Sequence, residues 1–344
     1  MVYSFGLVKH ANIRYREAIS RLGRCELICM LKSLSLSPEV REETLGGASF
    51  LTFSCRELSE RELSWLSGHS TVVFMAEKSP EGLLRPLSVP PSDYLEEDLP
   101  EVLKYKGKTG ATFTRMMLNI AFSLRSHPVE KEKAVVFDPL CGKGTTCFCA
   151  LQAGMDAVGL DLDRKAVREA CDYFSRYLRL HGMKHTMASR SETAGKSSLP
   201  LTEFLFSAEK EQYAAGQTHR LLLAVGDTGL SPALFRKKKA HVLLADLPYG
   251  VQHAPQFGRE VESFPRLLER ALPAWYSSLD PSGVLALSFN TLTLPTHSVV
   301  SALDKAGFTP LSGGIFEMLT HEVEQAVVRN VVFAVKNAEV HQHD

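Results

Sequence analysis

The chain has 344 residues, of which 44% are hydrophobic, enough for one large domain with a smaller companion around a substantial core. Its 39 basic and 39 acidic residues give a formal net charge of zero, which excludes long-range attraction of a polyanion by the molecule as a whole. The seven cysteines form no Cys-x-x-Cys pair and have no His spaced to complete a zinc site, so they read as reduced thiols, with no metal expected.

The N-terminus, MVYSFGLVKHANIRYREAISRLG, lacks an apolar stretch of signal-peptide length, and no apolar run is long enough to span a bilayer. A cytoplasmic protein with no membrane partner is expected. Residues 1–77 mix a helical stretch with β-like runs, ASFLTFS (48–54) and STVVFMA (70–76), and predict a small N-terminal α/β module. Pro80, Pro86, Pro90, Pro91 and Pro100 then mark 78–100 as a linker to a main domain over 101–340.

The main domain opens with LKYKGKTGATFTRMMLNIAFSL (103–124), a basic, glycine-containing turn before an amphipathic helix. Phe113 is a candidate to pack on an adenine ring, and Lys106, Lys108 and Arg115 are candidates to meet phosphates. An ordinary capped helix with solvated lysines accounts for the same residues. From Lys133 onward apolar runs alternate with amphipathic stretches: AVVF (134–137), DAVGL (156–160), RLLLAV (220–225), HVLLA (241–245) and GVLALSF (283–289). That pattern predicts a parallel sheet wrapped by helices on both faces. Two last runs, GIFEML (314–319) and VVRNVVFAV (327–335), are expected to pair antiparallel. The Ser-, Thr- and Gly-rich passage over about 186–219 reads as a flexible surface insert.

The chemistry lies at the strand ends. In AVVFDPLCGKGTT the first strand ends at Asp138 and runs through Pro139 into a turn with Gly142 and Gly144 before a helix from about Thr145. Glycines are needed where backbone passes close to a ligand, and a carboxylate at the strand tip can receive an ammonium group. The spacing fits neither a P-loop nor a dinucleotide fingerprint, whose third small residue would stand where Cys147 does. The second strand ends in VGLDLD, where Asp161 can accept both hydroxyls of a ribose and Asp163 reads as a helix N-cap. Asp227, after the third strand, could accept from an adenine amino group or simply form a turn before Thr228 and Gly229.

The fourth strand ends in HVLLADLPYG. A charge and a rigid turn directly after a core strand are costly unless a site uses them. An exocyclic amine on a base is a poor nucleophile because its lone pair is delocalised into the ring. Asp246 and the carbonyl of Leu247 can accept its hydrogens and favour a more tetrahedral nitrogen. Pro248 fixes the turn, and Tyr249 offers a face on which an extruded base stacks. Methyl transfer from S-adenosylmethionine needs alignment more than further activation.

Taken together, KYKGKTGATFTR, DPLCGKGTT, VGLDLD and DLPYGVQH resemble the RNA methylase family of S-adenosylmethionine-dependent amino-methyltransferases, related to the tRNA guanine-N2 methyltransferases. The resemblance covers roughly 101–336 and implies a class I methyltransferase (Rossmann-like) mixed sheet with a terminal antiparallel hairpin. It also implies that Asp138, Gly142, Gly144, Asp161 and Asp227 bind S-adenosylmethionine and that residues 246–249 form the catalytic turn. Tyr249 follows Leu-Pro where the wider motif has Pro-Pro. Many tRNA-acting relatives carry an N-terminal THUMP domain, and the first hundred residues contain no recognisable one. RNA, tRNA above all, is therefore favoured over DNA only by the resemblance. A DNA adenine-N6 or cytosine-N4 methyltransferase, a small-molecule methyltransferase and a non-catalytic cofactor-binding protein are the alternatives. The Arg236–Lys239 run and the arginines of 164–179 are the remaining basic patches.

Overall fold

The computed structural model describes residues 1–9, 13–101, 110–247, 256–257, 260–324 and 326–336. The N-terminal module runs β1 (Val2–Leu7), α1 (Ile13–Ser33), β2 (Arg41–Leu45), β3 (Ala48–Ser54), α2 (Glu60–Ser67), β4 (Val72–Lys78) and β5 (Leu84–Pro86). Its strands form an antiparallel sheet in the order β2-β3-β1-β4-β5, the split β-α-β arrangement with one strand added. The added strand comes from the expected linker: Ala76, Glu77 and Lys78 pair with Pro86, Arg85 and Leu84, an edge position where proline is tolerated.

Helix α1 carries two apolar faces. Leu27, Met30 and Leu31 pack on Tyr3, Phe5, Leu51 and Phe53 of the small sheet, while Ala18, Ile19, Leu22 and Cys25 join the core of the main domain. Between them the fully buried Glu26 accepts hydrogen bonds from Ser70 N at 2.9 Å, Ser70 Oγ at 2.5 Å and Asn119 Nδ2 at 2.7 Å. Leaving one such buried polar group without its partner typically costs about 1–3 kcal/mol, so this cluster helps hold the module on the domain.

The main domain continues through α3 (Asp98–Glu101), α4 (Ala111–Ser123), β6 (Val135–Asp138), α5 (Thr145–Gln152), β7 (Asp156–Asp161), α6 (Arg164–Leu180), β8 (Lys184–Ala194), β9 (Ser197–Ser207), α7 (Lys210–Ala214), β10 (His219–Val225) and β11 (Ala240–Asp246). It ends with β12 (Gln256–Phe257), β13 (Glu260–Val261), α8 (Phe264–Ser278), β14 (Leu279–Asn290), α9 (Thr296–Lys305), β15 (Thr309–Pro310), β16 (His321–Glu324) and β17 (Val327–Val335). The ten-stranded sheet has the order β15-β17-β14-β11-β6-β7-β10-β9-β8, with β16 also on β17. Strands β14, β11, β6, β7 and β10 are mutually parallel, and β17 lies antiparallel to β14. The five predicted strands coincide with these five. Their residues alternate between two buried faces: Val136, Val242 and Leu244 meet α4, α5 and α6, whereas Val135, Phe137 and Leu243 meet α8 and α9. Burial on both sides is why each reads as an unbroken apolar run.

Two expectations are corrected. Residues 184–207 form the β8–β9 hairpin, closed by eleven cross-strand pairs, which extends the sheet beyond β10 through six pairs between β9 and β10. Phe204 and Phe206 anchor it against Phe174 of α6, and Leu199 and Leu201 anchor it on the opposite face. Residues 314–319 form a 3-10 turn, entered through Gly313 (φ 78°) and Gly314 (φ 57°), so they are not a strand. The antiparallel partners of β17 are β14, β15 and β16.

Candidate active site

The tips of β6, β7, β10 and β11 lie side by side at one edge of the sheet, where ligands bind in open α/β folds. From the tip of β6 the chain turns at Pro139–Leu140, with Asp138 Oδ1 accepting the Leu140 N–H at 3.1 Å. Gly142 takes φ 49° and Gly144, which precedes α5, takes φ 89°, left-handed values that favour glycine. The two glycines differ in surroundings. A Cβ on Gly144 would approach Phe148 at 3.2 Å, whereas one on Gly142 would meet no heavy atom within 4 Å. Gly144 therefore serves close helix packing, and Gly142 borders open space.

Asp161 ties this loop to the next strand. Its Oδ2 accepts the Gly142 N–H at 2.7 Å and its Oδ1 the Asp163 N–H at 2.8 Å, and burial raises its pKa. Asp163 caps α6 as expected from the sequence, accepting from Lys165 N at 2.8 Å and Ala166 N at 3.2 Å. Asp138 is deeper, 5% exposed, and desolvation pushes its pKa up to about 7 against the pull of the Thr146 hydroxyl and the Leu140 N–H; Asp161 and Asp246 add smaller upward pushes. Thr145 and Thr146 are buried in the first turn of α5.

Asp246 ends β11, whose Val242 and Leu243 pair with Val136 and Phe137 of β6. It is partly exposed, while Leu247, 2% exposed, plugs the core and donates its N–H to Ser288 O at 2.9 Å. Asp138 and Asp246 thus stand at the ends of strands about 4.8 Å apart. Pro248 and Tyr249 of the expected catalytic turn, and Lys106 and Lys108 of the expected phosphate contacts, lie outside the described residues.

Three other candidates are corrected or refined. Phe113 is 2% exposed and packs on His321 and Arg329, over the β16–β17 side of the sheet and well away from β10, where an adenine would meet Asp227. Arg115 is 7% exposed and ion-paired with Asp93 beside the N-terminal module, because α4 turns it to the same side as Asn119 four residues on. Asp227 caps a 3-10 turn, with Oδ1 accepting the Gly229 N–H at 2.8 Å and a bond from Arg270. The sequence missed Thr146, which holds Asp138, and Arg270, which lies 43 residues beyond its partner. An adjacent second threonine was a usable signal for the first; nothing local announces the second.

The Arg236–Lys239 run precedes β11 and so lies at the far end of the sheet, about 20 Å from the strand tips at about 3.3 Å per residue. Its side chains are tethered there: Lys238 to Asp156, Lys239 to Ser277 O and Arg236 to Thr193 O. Among the described residues no group of three or more His, Cys, Asp or Glu is arranged to hold a metal ion, and no helix is long and apolar enough to cross a membrane.

No family model and no curated protein matches the chain. Among solved structures it is similar to TrmN from Thermus thermophilus, with 17% identity over 87% of this chain and a TM-score of 0.40, and it spans 60% of that protein's length. It is also similar to the magnesium protoporphyrin IX methyltransferase ChlM from Synechocystis (15% identity, 60% of this chain and 72% of that one, TM-score 0.35). An rRNA methylase from Streptococcus thermophilus gives 14% identity over 60% of this chain and 88% of that one, with a TM-score of 0.33. The strand order itself defines the class: five parallel strands with the first at the centre, closed on one side by an antiparallel last strand, is the class I methyltransferase fold.

Proposed function

We propose that the protein is an S-adenosylmethionine-dependent methyltransferase of the RNA methylase family, acting in the cytoplasm on an exocyclic amino group of a nucleic-acid base, with guanine-N2 in tRNA the favoured target. The observation that carries this reading is the position of Asp246, which ends the strand next to β6 and so faces the glycine loop and Asp138 across one strand spacing.

The residues of the cleft fit the cofactor. Gly142 leaves a space that a Cβ would enter. Asp161 accepts the Gly142 N–H on one oxygen and the Asp163 N–H on the other, and a carboxylate's roughly four lone-pair sites leave capacity for a ribose hydroxyl. Asp138 is a buried carboxyl whose ionisation an ammonium group would favour. S-adenosylmethionine, when bound, supplies a methyl group already activated by the sulfonium. The chain's own work is to align the acceptor. Asp246 takes one hydrogen of the base amine and the Leu247 carbonyl takes the other, which turns the nitrogen lone pair towards the methyl. Being partly exposed, Asp246 can then pass the amine proton to solvent.

The test is methylation of tRNA, rRNA and DNA with labelled cofactor, followed by nucleoside mass spectrometry. Label in N2-methylguanosine from tRNA is the expected result; label confined to DNA, or none in any nucleic acid, overturns the substrate assignment. A second expectation concerns Gly142→Ala. The left-handed φ costs an alanine about 1–2 kcal/mol of stability, with no clash in the free protein. Cofactor affinity measured by calorimetry should fall by about tenfold or more, well beyond what the modest loss of stability would produce.

A further inference from the structure

Strand β8 is the last strand at one side of the large sheet. It pairs with β9 along all eleven of its residues, Lys184 to Ala194, and among the described residues no strand lies on its other side. The hairpin turns through Gly195 and Lys196, so Ala194 and Ser197, which flank the turn, exchange backbone hydrogen bonds. The bonding direction alternates from there. The even-numbered residues of β8 are turned to β9, and the N–H and C=O groups of His185, Met187, Ser189 and Ser191 are turned to the open edge. Thr193, which follows the same rule, presents its O to Arg236. The edge is largely exposed, contains no proline, and carries Met187 at 57% exposure. An edge of this length is a template for another strand, and its charges decide which strand fits.

Arg190 is already engaged by Glu203, which also pairs with Arg220. Lys184 and Glu192 remain near the two ends of the strand, Glu192 no closer than 3.5 Å to Arg190 Nε. We propose that the protein forms a two-fold dimer in which β8 pairs antiparallel with β8 of a second copy about an axis at Ala188. In this register Lys184 stands opposite Glu192 twice, His185 opposite Ser191 and Met187 opposite Ser189. The two Met187 side chains meet diagonally on one face, and the small Ala188 stands opposite itself. The residues that bond are the odd-numbered ones already turned outward. Other registers lose this match: an axis at Met187 sets Lys184 against Arg190, one at Ser189 sets Lys184 against Ala194, and one at Arg190 sets that guanidinium against its own copy. The axis runs through the joined sheet, so the strand tips of the two copies point in opposite directions and both clefts stay open. The dimer does not depend on the methyltransferase reading.

The test is sedimentation equilibrium of the full chain over about 1–300 μM, the range suited to an interface of modest size. Wild type is expected to pass from monomer to dimer. Lys184→Glu and Glu192→Lys each set like charges opposite one another twice and should weaken the dimer about tenfold; the double variant restores opposite signs and should return to within about threefold of wild type. Ala188→Cys should form a disulfide-linked dimer under mild oxidation where the wild type does not, because a directly opposed, non-hydrogen-bonded pair has Cα atoms about 4.5 Å apart. Thermal melts confirm that each variant is folded. A protein that stays monomeric throughout, a dimer indifferent to the single charge reversals, a double variant no stronger than the single ones, or an Ala188→Cys protein that does not cross-link overturns the proposal.

Discussion

Asp246→Ala is expected to lower the single-turnover rate of methyl transfer by about 10²–10³-fold, the usual effect of removing one preorganised polar group from a transition state. Cofactor affinity should change little, because the Gly142 N–H is held by Asp161 and the role proposed for Asp246 is towards the acceptor amine. The rate and the affinity therefore separate, which identifies an interaction made in the transition state. Asp246→Asn sharpens the result. It keeps one carbonyl acceptor but cannot take the amine proton, so it should fall between alanine and wild type. If Asp246 served only to end β11, the shape-preserving Asn would be fully active, since the strand end is already held by Leu247 N–H to Ser288 O.

That Asp246 could be singled out from the sequence follows from how a parallel strand is buried. Val242, Leu243, Leu244 and Ala245 are all fully buried on two faces, so the run is continuous and the first charge after it must be at the tip. The same reasoning located Asp138 and Asp161. It failed for β8, which lies at the sheet edge with most of its residues exposed, so that its Ser, Thr and Arg content is that of a loop. Pro200 within β9 further disguised that strand. Phe113 was misjudged because it stands next to a glycine-rich turn, although it shares an apolar stripe with Met116, Met117 and Ile120 that points into the core. Which oxygen of Asp227 is used, and by what, depends on Arg270 on a distant helix, and no local pattern encodes that contact.

The second large effect is expected at Asp138, and it is one of stability. Its carboxyl titrates at about 7 in the folded protein against 3.8 as the unperturbed value, a difference of about three units, chiefly from burial. Between those two values the folded state holds a proton that the unfolded state has released. Its contribution is therefore fully present below about pH 4 and is lost as the pH rises to about 7. At about 1.4 kcal/mol per unit the loss is on the order of 4 kcal/mol, and it levels off above pH 7. Asp138→Asn keeps an oxygen for the Leu140 N–H but carries no ionisable proton. Denaturant melts should find the variant more stable than wild type at pH 8 by on the order of 3 kcal/mol, with the gain shrinking to nothing near pH 4. A gain independent of pH would show that Asp138 is not a carboxyl kept neutral by burial. Saturating S-adenosylmethionine should reverse the order at pH 8, because the ammonium group favours the ionised wild-type carboxyl and has no such partner in the asparagine. A site that is costly when empty and relieved by its ligand is what a carboxyl buried for binding, and not for folding, requires.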